Sequence, residues 1–181
     1  MKRLLTLLPL TLAALALPAF AALSVGAKAP MFTAQASLDG KEFTFKLADE
    51  LKKGPVVVYF YPEAFTKGCT IEAHKFAEAM DQYHALGAQV VGVSHDKIDK
   101  LNKFSVSECQ SKFPVADDSS QAIMKSYDAL LPGHEEYANR TSYVVAPDGT
   151  IIYQYTDMNP DGHITNTLKA IQDWKKAHTP A

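Results

Sequence analysis

Pro55-Val56-Val57-Val58-Tyr59-Phe60-Tyr61 runs into Pro62-Glu63-Ala64-Phe65-Thr66-Lys67-Gly68, and then into Cys69-Thr70-Ile71-Glu72. The first of these segments is a continuous apolar run of β-branched and aromatic side chains. No polar face alternates through it, so it predicts a strand covered on both sides, as at the centre of an α/β sheet. Pro62 stops it. The next periodicity is helical. Ala73, Phe76, Met80 and Tyr83 recur at helical spacing between about Cys69 and Leu86, and Gly87 supplies the stop. A buried strand, a short loop and a helix therefore meet at Cys69, on the edge of the sheet where α/β proteins build their sites.

Working outward, Leu23 to Phe32 reads as an extended segment, with Asp39-Gly40 as a hairpin-type turn after it. Lys41 to Leu47 alternates, with Phe43, Phe45 and Leu47 on one side, as in a half-buried strand. On the other flank, Ala88 to Ser94 is a second buried strand and Ile98 to about Ser111 a second helix. Phe113 to Ala116 is a short strand and Gln121 to Leu130 a short helix. Arg140 to Ala146 and Thr150 to Tyr155 are strands joined by Pro147-Asp148-Gly149. Ile164 to Ala177 is a closing helix with Leu168, Ile171 and Trp174 inward. No repeat, low-complexity tract or flexible linker interrupts residues 22–181, which predicts one domain. This order predicts an α/β fold with a mixed central sheet flanked by helices, an order shared with the thioredoxin-like fold.

Residues 1–21 stand apart. Lys2 and Arg3 precede an apolar run, Leu4 to Phe20, that closes on Ala19-Phe20-Ala21. A charged start, a short apolar core and a small-x-small triplet predict a signal peptide, a mature chain from about Ala22 and a periplasmic or secreted address, with no stable membrane association after cleavage. Without Lys2 and Arg3, 16 basic residues face 20 acidic ones, a formal charge of −4 with no basic stripe. That balance offers nucleic acid no electrostatic footprint.

Two cysteines remain, Cys69 and Cys109. In an exported chain such a pair is by default a structural disulfide. A domain of this length needs no staple to fold, which leaves room for another purpose. Cys69 in the first turn of a helix meets the positive end of the macrodipole and free backbone N–H groups, and both favour the reactive thiolate. A cysteine that merely packs would fit the position as well.

The neighbours shift the balance toward the reactive reading. Pro62, Thr66 and Cys69 stand as Pro-x-x-x-Thr-x-x-Cys. This resembles the active-site signature of peroxiredoxins, and its surroundings resemble the bacterioferritin-comigratory, or Q-type, branch. Gly26-Ala27-Lys28-Ala29-Pro30-Met31-Phe32 is similar to the family's first segment, and Asn139-Arg140-Thr141-Ser142-Tyr143-Val144-Val145 to the strand that carries its arginine. The likeness spans nearly the whole chain after residue 21.

The resemblance implies a thiol-dependent peroxidase. Cys69 attacks the peroxide. Arg140 holds the thiolate and the developing charge. The Thr66 hydroxyl accepts from the peroxide and donates to sulfur, and Pro62 shields the pocket. Glu72 either pairs with Arg140 or simply favours the helix start. Many relatives carry a resolving cysteine five residues after the attacking one, but here that position is His74. Cys109 is then the resolving candidate, and an inert Cys109 with rescue by another molecule's thiol is the alternative.

At about 100° per residue, Cys109 falls about 20° from Ile98 around its helix, on the edge of the apolar face. It is expected to be partly buried, unbonded in the reduced protein, and able to reach Cys69 only if the helices loosen. The resemblance further implies a thioredoxin-like or glutaredoxin-like reductant, hydrogen peroxide or alkyl hydroperoxides as substrate, and no cofactor. The histidines show no ligand spacing, so no metal is expected. The family ranges from monomers to large rings, Q-type members are often monomeric, and the sequence does not choose between them. A thiol–disulfide exchange protein of the same fold is the alternative activity. It would normally show Cys-x-x-Cys, where this chain has Glu72. A binding domain with a structural Cys69–Cys109 bond is a third reading.

Overall fold

A computed structural model describes residues 22–178. The expected signal peptide lies outside the described residues. In chain order the elements are β1 (Thr33–Leu38), β2 (Lys41–Lys46), α1 (Leu47–Glu50), β3 (Val56–Phe60), α2 (Lys67–Ala85), β4 (Gln89–Ser94), α3 (Ile98–Ser107), β5 (Val115–Asp117), α4 (Ala122–Ser126), β6 (Leu130–Leu131), β7 (His134–Ala138), β8 (Thr141–Val145), β9 (Ile151–Thr156) and α5 (Asp161–His178). The main sheet runs β2-β1-β5-β4-β3-β8-β9, and β6 pairs with β7 apart from it. β3 is parallel to β4 and antiparallel to β8, with Val58 opposite Val91 and Tyr143. The sheet is therefore mixed, as expected.

The apolar run does become a central strand, with every residue of β3 buried. Alternation along it feeds two cores. Val57, Tyr59 and Tyr61 join Phe76, Met80 and Tyr83 of α2, Leu101 and Phe104 of α3, and Leu168 and Ile171 of α5. Val56, Val58 and Phe60 join Phe45, Leu47, Tyr127 and Tyr143 on the opposite face. Tyr59 stacks on Phe76 with ring centroids 4.4 Å apart. Its ring also lies against β4 at Gly92, where a Cβ would stand 2.8 Å from the tyrosine oxygen.

Several elements differ from the sequence reading. β1 was not foreseen, because its buried residues include the small Ala34 and Ala36, whose side chains carry little hydrophobic signal. α1 and the β6–β7 pair are too short for periodicity to reveal. On β2, Phe43 is exposed while Phe45 is buried. The helix expected over 121–130 ends at Ser126, and Leu130 pairs in β6. Trp174 is only half-buried.

The most consequential correction is at α3, which ends at Ser107 and not near Ser111. The amides of Glu108 and Cys109 both bond to the Phe104 carbonyl. Gln110 and Ser111 then take the left-handed backbone conformation, at φ 51° and 57°, so the chain cannot continue as a right-handed helix. Cys109 thus lies just beyond the helix, and it is fully buried where partial burial was expected. None of the described helices is long and apolar enough to cross a membrane.

Candidate active site

Thr66 is the N-cap of α2, in an extended conformation. The first helical bond joins the Thr70 amide to the Thr66 carbonyl, so the amides of residues 67–69 precede the ladder and lend their partial positive charge to this end. Cys69 sits among them, 1% exposed.

Arg140 comes from the other side of the sheet edge, immediately before β8 on the strand next to β3. It is buried, and its guanidinium is held at three nitrogens. Nη2 donates to Cys69 Sγ at 3.4 Å, Nη1 to Glu72 Oε2, and Nε to the Met158 carbonyl at 3.0 Å. Gly68 makes room for this, since a Cβ there would stand 3.0 Å from Nη2. Of the two readings open for Glu72, the ion pair with Arg140 is the one the structure contains.

Burial works against both charges. It would lower the Arg140 pKa, but Glu72 and Cys69 outweigh it and the pKa moves up. Burial pushes the Glu72 carboxyl up, with Arg140 pulling it back. Because the guanidinium stays protonated at any working pH and touches Oε2, the pair is ionised.

The loop between β3 and α2 is tied to the start of α3. Buried Asp96 accepts the Ala64 amide at 2.7 Å and the Ser94 hydroxyl at 2.9 Å. Lys100 spans Asp96 and Glu63, at 2.7 Å from each. His95 Nδ1 donates to the Pro62 carbonyl at 3.0 Å, since a carbonyl can only accept. Pro62 is half-buried over the site, and Thr66 is exposed. The Thr66 hydroxyl donates to the Glu63 carbonyl at 2.9 Å. Its proton is therefore engaged with the loop, not with sulfur as expected, while its lone pairs stay free to accept.

Cys109 shares a core cluster with Cys69, Tyr59, Tyr61 and Phe104, and both cysteines are free thiols. Burial pushes the Cys109 thiol well up, with Glu108 adding to it. His74, expected as a plain surface residue, touches Glu108 at 2.9 Å and so ties α2 to the end of α3.

Sequence reasoning missed Asp96, which looks like any loop acid after a strand. It also missed His163, which is fully buried with Nδ1 3.8 Å from Glu72 Oε1. Among the described residues no group of three or more His, Cys, Asp or Glu is placed to hold a metal ion.

With this geometry established, the chain can be compared with known proteins. Residues 25–154 match the AhpC/TSA family. A chloroplastic peroxiredoxin Q of Gentiana triflora is 31% identical over 154 residues, spanning 84% of this chain and 69% of that one. A chloroplastic 2-Cys peroxiredoxin of Hordeum vulgare is 30% identical over 164 residues, spanning 84% and 77%. Among solved structures, the peroxidoxin BcpB of Mycobacterium tuberculosis shares the fold with a TM-score of 0.74 at 24% identity, covering 82% of this chain and 96% of that one.

Proposed function

The chain belongs to the AhpC/TSA family, and from that premise we propose that Cys69 is the attacking sulfur of its thiol-dependent peroxidase activity. One observation carries the assignment. The Cys69 sulfur lies at the start of a helix with the buried Arg140 donating to it, and Arg140 is itself paired to Glu72. The thiolate lone pair attacks one peroxide oxygen and the O–O bond breaks. Two electrons pass from sulfur to peroxide, leaving Cys69 as sulfenic acid and releasing water or an alcohol once the leaving oxygen is protonated. Arg140 lies where charge develops, and Pro62 and the buried wall limit water.

Cys109 resolves the sulfenic acid. Its thiol attacks Cys69 sulfur, water leaves and a disulfide forms. A thioredoxin-like dithiol, of the kind the family implies, returns both thiols. While buried, Cys109 stays protonated, so this step requires the end of α3 to open. Exchange chemistry is not favoured. The position three after Cys69 is Glu72, committed to Arg140.

We also propose that the chain is exported. The support is the charged start, the apolar run and the Ala19-Phe20-Ala21 triplet. Sequencing the N-terminus of protein recovered from an envelope fraction tests this, and an intact leader on cytosolic protein would overturn it.

The peroxidase assignment is tested by intact mass after one peroxide pulse. Wild type is expected to lose two hydrogens, Cys109→Ser to gain one oxygen, and Cys69→Ser to stay unchanged. Peroxide turnover by Cys69→Ser at the wild-type rate would overturn it.

A further inference from the structure

The guanidinium of Arg140 is fixed at Nε by the Met158 carbonyl, which belongs to the exposed stretch between β9 and α5. An exposed stretch is a poor anchor unless something behind it is rigid. The Asp157 amide donates to the Arg140 carbonyl at 3.2 Å. The Asp157 carbonyl accepts from His163 Nε2 at 2.8 Å. His163 Nδ1 lies 2.8 Å from the Ser142 hydroxyl on β8.

These partners fix the protons. A carbonyl can only accept, so Nε2 carries the hydrogen and Nδ1 accepts from Ser142. Burial, opposed by the Asp157 bond and assisted by Arg140, lowers His163 to about 4. It is a neutral ring with one defined tautomer at working pH. The ring packs edge-on against Tyr155 with centroids 4.9 Å apart. Tyr155 in turn lies over Gly162, where a Cβ would stand 2.5 Å from its oxygen.

We propose that His163 is a positioning residue for the peroxidase reaction: by donating to the Asp157 carbonyl it sets the adjacent Met158 carbonyl, and through it the orientation of Arg140 toward the Cys69 sulfur. The inference rests on the peroxidase assignment above. It adds a third layer to the site. Cys69 is held by Arg140, Arg140 by Glu72 and Met158, and the 157–158 stretch by His163. The effect on catalysis comes from geometry, since a misplaced charged donor loses rate without leaving the site.

The test separates the two ring nitrogens. His163→Gln places an amide donor near the Nε2 position, whereas His163→Asn keeps a polar group only near Nδ1. Urea titration confirms that each variant is folded. Two quantities are then measured: the rate of the first oxidation by hydrogen peroxide, and the exchange rate of the Arg140 Nε proton by NMR. We expect His163→Asn to oxidise about tenfold more slowly, with faster Nε exchange, and His163→Gln to recover most of both. Equal rates and equal Nε exchange in the two variants, at or near wild type, would overturn the positioning role. Failure of wild type itself to consume peroxide would instead overturn the peroxidase assignment.

Discussion

The surroundings of the two sulfurs are built on opposite principles. Around Cys69 the contacts are buried and reinforce one another. Arg140 is held at three nitrogens, Gly68 removes the one atom that would crowd it, and His163 backs the stretch that supplies the Met158 carbonyl. Around Cys109 the helix has just ended, the next two residues are left-handed, and the tie to α2 is the half-exposed His74 against Glu108. The attacking sulfur needs a fixed cation before substrate arrives. In the resolving role proposed for it, the Cys109 sulfur needs to leave its pocket afterwards. The comparison teaches that order at one cysteine and releasability at the other are separate properties, purchased from different residues.

The largest expected effect tests the rigid side. Glu72→Ala leaves a buried guanidinium without its carboxylate and should cost about 3–5 kcal/mol, read as a shift in urea midpoint, together with a steep fall in the rate of Cys69 oxidation. If Glu108→Ala costs as much, the contrast between the two regions fails.

Next comes the pH response. His163 has a folded pKa of about 4 against an ordinary value of about 6.5. Between these values the unfolded chain binds the proton and the folded one does not, so stability is complete above about pH 6.5 and falls as pH drops toward 4. The full loss is about 3 kcal/mol. Urea midpoints across that window should show the slope in wild type and lose this part of it in His163→Gln.

A smaller effect separates stability from rate. Gly68→Ala adds a good helix former to α2, which is worth up to about 1 kcal/mol, yet it forces Arg140 Nη2 aside. The thermal midpoint should hold while oxidation by peroxide slows about tenfold. A rate unchanged by the added methyl would show that the approach of Arg140 is not limiting.

On the other side, Gln110→Gly and Ser111→Gly relieve left-handed strain of about 1 kcal/mol per residue. They should slow disulfide formation and leave more sulfinic acid under excess peroxide, measured by mass. Smallest of all, Glu108→Gln weakens a partly exposed pair worth at most about 1 kcal/mol and should speed disulfide formation a few-fold. If the glycine variants and Glu108→Gln shift the rate in the same direction, the end of α3 is not the opening segment.

Legibility in the sequence followed distance along the chain. The buried strand, the loop and the cysteine at a helix start could be read directly, because Val56 to Cys69 express their pattern locally. Arg140 is far from Cys69 in sequence and came only through its resemblance to a family strand. Asp96 and His163 could not be read at all. Nothing local distinguishes them from surface residues, and their roles exist only once β3, β8 and α5 are assembled. The left-handed pair Gln110-Ser111 was hidden for a similar reason, since neither residue is a glycine or asparagine that would advertise such a turn. A helix read through them left Cys109 at the edge of the apolar face, whereas it lies past the helix end, fully buried beside Phe104.

Tyr59 packed against Gly92 constrains how this chain can change over time. Any side chain at position 92 displaces the ring that Phe76 stacks upon, and Phe76 sits on the helix that presents Cys69. A larger residue at 92 requires that ring to move, and a smaller residue at 59 would make the room. Drift at position 92 is thereby coupled, through Tyr59 and Phe76, to the helix beneath Cys69.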